Sequence, residues 1–133
     1  MDNAGALSHI EIYVSDLGKT CRFWELLLIE NLGYSIFQEW DLGVSYIMNG
    51  TYIVFVQTDN NVLSYNRTAV GLNHMAFTAP TNREVDQIRL RLIQAGYIEL
   101  YSQRYPHAGG VDSYAAYFED PDRIKVEIVA QKE

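Results

Sequence analysis

The sequence predicts an α+β fold made of two βαβββ modules related by pseudo-two-fold symmetry, with eight strands forming an open barrel-like arrangement around one cavity. Three observations predict it. The stretch Leu7-Ser8-His9-Ile10-Glu11-Ile12-Tyr13-Val14-Ser15-Asp16 alternates apolar and polar residues, runs directly into a helix start, and occurs again as Leu72-Asn73-His74-Met75-Ala76-Phe77-Thr78-Ala79-Pro80-Thr81. Both copies place a histidine third, and both are followed by a helical pattern closing on Gly-Tyr, at Gly33-Tyr34 and Gly96-Tyr97. Short strand signals separated by turn residues then follow in each copy. Side chains two apart on a strand share a face, so His9, Glu11 and Tyr13 point one way and Ile10, Ile12 and Val14 the other. His74, Ala76 and Thr78 form the matching row.

The elements follow in order. Leu7 to Val14 is the first strand, after which Ser15 or Asp16 caps a helix whose buried stripe is Leu17, Cys21, Trp24, Leu27 or Leu28, and Leu32. Gly33 supplies the left-handed stop. Strands are expected at Tyr34 to Trp40, Val44 to Met48 and Tyr52 to Gln57, the last two joined by the hairpin turn Asn49-Gly50. A polar, Asn-rich connection runs from Asp59 to about Val70. The second copy opens with Leu72 to Thr78, continues through a Thr81/Glu84 capping box into a helix with Val85, Ile88, Leu92 and Ala95 on its apolar face, and stops at Gly96. Strands at Tyr97 to Tyr101, Ser113 to Phe118 and Ile124 to Ala130 complete it, with a loop over Ser102 to Asp112 and a turn at Asp120-Pro121-Asp122. The expected organisation is one domain over residues 1–133, made of repeats at about 7–57 and 72–130.

Composition narrows the partners. At 133 residues the chain is long enough for one sizeable core. A formal net charge of −7 argues against nucleic acid or an anionic membrane surface as partner, since both reward clustered Lys and Arg. The single cysteine, Cys21, has no intrachain disulfide partner and reads as a small buried hydrophobe. With no basic-then-apolar leader and no long apolar run, a cytoplasmic location is expected.

The chemistry-bearing residues emerge from the repeat. Symmetry brings His9 and His74 to equivalent places on the two sheets, and sheets curled around one cavity make them neighbours. The final strand carries Lys125, Glu127 and Val129 on one face, so a lone carboxylate sits in an otherwise apolar strand. An unpaired buried carboxylate costs several kcal/mol, and a divalent metal held by two imidazoles and that carboxylate meets the requirement. The plainer alternatives are strand histidines that are merely hydrogen-bonded and a Glu127 paired with Arg123 or Lys125. Glu11 and Tyr13 share the face of His9, where Glu11 suits a base or a partner of the ligands. Arg104 lies in the cationic, glycine-containing loop Arg104-Tyr105-Pro106-His107-Ala108-Gly109-Gly110, which suits an anionic substrate or a lid. Tyr46, Tyr114 and Tyr117 either line a pocket or fill the core.

The segments Leu-Ser-His-Ile-Glu-Ile-Tyr-Val-Ser-Asp-Leu at 7–17, Gly-Leu-Asn-His-Met-Ala-Phe at 71–77 and Tyr-Phe-Glu-Asp-Pro-Asp-Arg-Ile-Lys-Val-Glu at 117–127 resemble the vicinal oxygen chelate superfamily. That group includes glyoxalase I, extradiol dioxygenases, fosfomycin-resistance enzymes and bleomycin-binding proteins. The resemblance implies His9, His74 and Glu127 as ligands of a divalent ion (Mn, Fe, Ni or Zn) that binds a small substrate through adjacent oxygens. It implies lyase, thiol-transferase or dioxygenase chemistry; Glu11, Tyr13 and Arg104, read from the shared strand face and the loop charge, are the candidate catalytic residues. A fourth ligand, where the family has one, falls on the last strand of the first copy, at Phe55 or, in a register shifted by two, at Gln57. Short members usually form homodimers, and in many the site is shared across the interface. The competing reading is a metal-free protein of the same fold that sequesters a flat apolar ligand.

Overall fold

A computed structural model describes residues 4–132. The chain divides into two compact units, Met1–Leu63 and Ser64–Glu133. Each holds one four-stranded sheet and one main helix in the order βαβββ.

In the first unit β1 (His9–Val14) leads to α1 (Leu17–Trp24), then to β2 (Ser35–Trp40), β3 (Gly43–Met48) and β4 (Thr51–Gln57). The strand order is β1-β4-β3-β2, with β1 parallel to β4 and the other pairs antiparallel. Asp16 is the cap: its Oδ1 accepts the Lys19 N–H at 3.0 Å. The chain turns between β3 and β4 with positive φ at both Asn49 (51°) and Gly50 (84°), the geometry that the Asn-Gly pair favours.

The buried face of this helical segment differs from the expected stripe. Thr20, Phe23, Trp24, Leu27 and Leu28 are fully buried, whereas Leu17, Cys21 and Leu32 are only partly covered. Part of the reason is a π-helical run, Glu25–Asn31, which continues α1 and widens its last turns so that Leu32 rotates off the core line. Asn31 Nδ2 donates to the Leu26 carbonyl at 2.6 Å within this run. Gly33 ends it at φ +83°, as expected. Trp24 packs on Phe55 with ring centres 4.9 Å apart, and Phe55 lies 6.0 Å from Tyr46, whose hydroxyl donates to Glu25 Oε2 at 2.9 Å. Partial burial is the main reason that the Cys21 thiol is pushed above its ordinary range, which does not suit a nucleophile, although the residue is half-buried and not the buried hydrophobe expected.

The second unit repeats the plan with β5 (His74–Ala79), α2 (Asn82–Gln94), β6 (Ile98–Leu100), β7 (Ala115–Glu119) and β8 (Lys125–Ala130). Its order is β5-β8-β7-β6, again with the first and last strands parallel. Thr81 Oγ1 accepts the Glu84 N–H at 3.2 Å, and Gly96 takes φ +90° after the helix. Val85, Ile88 and Leu92 are buried, but Ala95 is the exposed C-cap. α2 packs on the face bearing Val126, Ile128 and Phe118, all fully buried. β6 is three residues long because Tyr101 adopts φ +60° and starts a one-turn 3₁₀ helix, Ser102–Arg104.

The loop before β7 is fastened rather than free. Tyr105 and Tyr114 both donate to Asp86 Oδ1 on α2, the second at 2.6 Å, and Arg89 lies 4.1 Å from the centre of the Tyr105 ring. These bonds tie Tyr105, within the Arg104–Gly110 loop that suits an anionic substrate or a lid, to α2. Replacing Phe55 with alanine empties the centre of the first unit's core and should cost about 3–5 kcal/mol of stability, read as a lowered urea midpoint.

Candidate functional site

Parallel pairing of β5 with β8 aligns His74 with Lys125 and Ala76 with Glu127, so the imidazole and the carboxylate project from one face. That face is opposite the one covered by α2. His74 Nε2 lies 3.0 Å from Glu127 Oε1, and the two side chains retain 34% and 12% exposure. Glu127 thus meets His74 rather than Arg123 or Lys125; Arg123 lies 3.6 Å from Glu119, which also binds Arg67 at 2.5 Å.

Asn73 orients the imidazole. Its Nδ2 donates to the Arg67 carbonyl at 3.2 Å, which turns its Oδ1 toward His74 Nδ1 at 2.7 Å. An amide oxygen only accepts, so Nδ1 carries a proton. The ring therefore has an acceptor at each nitrogen. If it is neutral, the Nε2 lone pair faces the carboxylate of Glu127, an arrangement that calls for a proton or a cation between them.

Tyr117 on β7 pairs in register with Glu127 and hydrogen-bonds to it. Burial, then the negative charge of Glu127 and that hydrogen bond, push the Tyr117 hydroxyl up to about 12. A Cβ at Gly109 would come within 2.5 Å of this hydroxyl, so the glycine permits the close approach of loop and ring. Arg104 sits with its guanidinium carbon 4.9 Å from the centre of the Tyr101 ring, and Tyr101 packs edge-on to Tyr117 at 5.4 Å.

In the first unit His9 stacks on Tyr52 with ring centres 4.7 Å apart and planes 9° apart, and Ser8 Oγ lies 3.1 Å from its Nδ1. Glu11 and Tyr13 share its face and are exposed, Tyr13 at 68%. The register corrects the expected fourth-ligand slot. Because His9 aligns with Tyr52 as His74 does with Lys125, the counterpart of Glu127 is Val54, not Phe55 or Gln57. Phe55 is buried against Trp24, and Gln57 Oε1 accepts the Leu17 N–H at 2.9 Å. Both belong to the helix-covered face. The slot therefore holds an aliphatic side chain.

Among the described residues, the second unit gathers His74 and Glu127, and no group of three or more His, Cys, Asp or Glu side chains with metal-holding geometry is found. Tyr46 and Tyr114 serve packing and loop anchoring. Asn73 was not singled out by sequence reasoning, although its slot repeats: Ser8 and Asn73 each precede the histidine and each reach its Nδ1.

The family model for the glyoxalase/bleomycin resistance protein/dioxygenase superfamily matches residues 6–128. The chain belongs to this superfamily. Within the glyoxalase superfamily it is 48% identical over 126 residues to the uncharacterized protein YqjT of Bacillus subtilis strain 168, covering 93% of this chain and 98% of that one. It is 28% identical over 123 residues to glutathione transferase FosA of Serratia marcescens, covering 92% and 79% respectively. A crystal structure from Bacillus halodurans, of a protein provisionally designated a glyoxalase, matches with a TM-score of 0.94 at 43% identity over 98% of each chain. The fosfomycin resistance protein FosX of Listeria monocytogenes, crystallised with Mn(II) and sulfate, shares the fold with a TM-score of 0.68 at 22% identity, over 96% of this chain and 90% of that one. Among the described residues, no helix is long and apolar enough to cross a membrane.

Two measurements follow from this geometry. In metal-free protein, nitrogen NMR should find His74 Nδ1 protonated and hydrogen-bonded; Asn73→Ala should raise the share of ring protonated at Nε2 alone, and unchanged nitrogen shifts would contradict the assignment. Tyr117 holds its proton more tightly when folded, so its contribution to stability is intact below its ordinary value of 10.0 and is lost as pH rises to about 12. Denaturant midpoints should fall across that window, and by less in Tyr117→Phe.

Proposed function

We propose that the protein is a divalent-metal-dependent enzyme of the vicinal oxygen chelate type, acting on a small oxygen-bearing substrate. The observation that carries this reading is the 3.0 Å approach of His74 Nε2 to Glu127 Oε1, with Nδ1 already committed to Asn73. An imidazole nitrogen and a carboxylate oxygen aimed at each other would be two of the ligands of a divalent ion such as Mn(II), which accepts both donor types. FosX, a neighbour by fold, was crystallised with that ion. His9, carried by the first unit, is the third ligand implied by the resemblance.

Such an ion, when bound, acts as a Lewis acid toward substrate oxygens. The protein's own groups prepare for it. Asn73 would leave the Nε2 lone pair of His74 available to such an ion, which is the role of outer hydrogen bonds around metal ligands. Tyr117, its hydroxyl protonated throughout the neutral range, supplies a donor beside Glu127. Glu11 and Tyr13 are the candidate acid–base groups on His9's face, and Arg104 is the candidate anchor for substrate charge. The FosA relative is named a glutathione transferase, so a first substrate panel holds fosfomycin with a thiol, methylglyoxal–thiol adducts and catechols.

Protein purified without a metal-affinity tag should bind Mn(II) with one-site stoichiometry in calorimetry. His74→Ala and Glu127→Gln should each weaken binding by about a hundredfold or more, at or beyond the ~10–100-fold typical of losing an outer-shell partner. His9→Ala tests the third ligand separately. Absence of binding, or indifference to both His74→Ala and Glu127→Gln, would leave the metal-free binding protein as the better reading.

A further inference from the structure

Beside the His74–Glu127 pair lies a second arrangement, in which Arg104, the candidate anchor for substrate charge, is joined by Lys125. Lys125 precedes Glu127 by two residues on β8 and so shares its face, with its Cα in register with His74. Its ammonium lies 4.9 Å from the centre of the Tyr101 ring and 5.2 Å from that of Tyr117. The Arg104 guanidinium lies 4.9 Å from the same Tyr101 ring, and its charge is felt at the Tyr117 hydroxyl. The left-handed φ of +60° at Tyr101 produces this convergence. It starts the 3₁₀ turn in which the Arg104 N–H donates to the Tyr101 carbonyl at 2.9 Å, and three-residue periodicity returns Arg104 over the Tyr101 ring. A non-glycine residue held in that conformation is the kind of local strain that collects at functional positions.

The chain carries 17 acidic and 10 basic residues, and Arg67, Arg89 and Arg123 each meet a carboxylate. Among the described residues, no ion pair within 4.0 Å involves Lys125 or Arg104; both rest on ring faces. A ring attracts the charge of a cation but leaves its N–H donors available for oxygen acceptors.

We infer that Lys125 and Arg104, laid against Tyr101 and Tyr117, form a subsite for an oxyanion group of the substrate next to the His74–Glu127 pair. This assigns a substrate class, a small compound with chelating oxygens at one end and a carboxylate or phosphate at the other. As a statement about substrate it rests on the metal reading, but the anion subsite itself does not require the ion.

The test uses the full chain free of metal. Inorganic phosphate in one arm and succinate in the other are titrated while the backbone amide resonances of Tyr101 and Lys125 are followed. Saturable shifts localised to those residues are expected with at least one anion, and the better one names the group. Lys125→Met and Arg104→Met keep the stems on the rings and should each weaken binding roughly three- to tenfold, the loss of one charge-assisted contact. No saturation with either anion, or affinities unchanged by both substitutions, would overturn the subsite. Mn(II) calorimetry on the same proteins separates the two readings. His74→Ala should lose the metal and keep the anion, whereas Lys125→Met should do the reverse.

Discussion

Parallel pairing between the first and last strand of each module is the constraint on which this structure depends. Parallel neighbours cannot be joined by a tight turn, so a helix and two strands intervene, and residues far apart in sequence become adjacent. The helix then covers one face of the sheet. Alternation along each strand leaves the other face for polar groups. In the second unit, His74, Glu127 and Tyr117 stand together because three strands meet at one register.

Much of this was legible in the residues. The repeated alternation, the Asp16 and Thr81 caps, the Gly33 and Gly96 stops and the Asn49-Gly50 turn are local signals, each set by backbone sterics or by an orphan N–H within a few residues. The face shared by His74 and Glu127 was also readable, since strand periodicity of two leaves little freedom. What escaped were long-range or cooperative features. The π-helical widening at Glu25–Asn31 depends on how the segment packs, and no single residue announces it. The counterpart of Glu127 was misplaced because strand ends are poorly defined in sequence, and an error of one position moves every side chain to the opposite face. Pairing settles it at Val54.

Asn73 escaped, and Tyr117 was left between lining a pocket and filling the core, for another reason. Their importance lies in hydrogen bonds to neighbours that only folding supplies, the Arg67 carbonyl in one case and Glu127 in the other. The Arg67 segment is itself held down by Glu119 and by the Arg123 carbonyl at 3.2 Å. A chain of contacts thus runs from an ion pair to an amide and on to one ring nitrogen.

The matching position in the first unit is built differently. A serine hydroxyl can rotate and can give or take a hydrogen bond, whereas the Asn73 carboxamide is pinned at both ends. One imidazole is therefore committed to a single tautomer while its twin stays ambidextrous. His9 can exchange the roles of its two nitrogens by a simple turn of the Ser8 hydroxyl, with no rearrangement of backbone or ring. Duplication has left one half of the chain with a fixed imidazole and the other with an adjustable one.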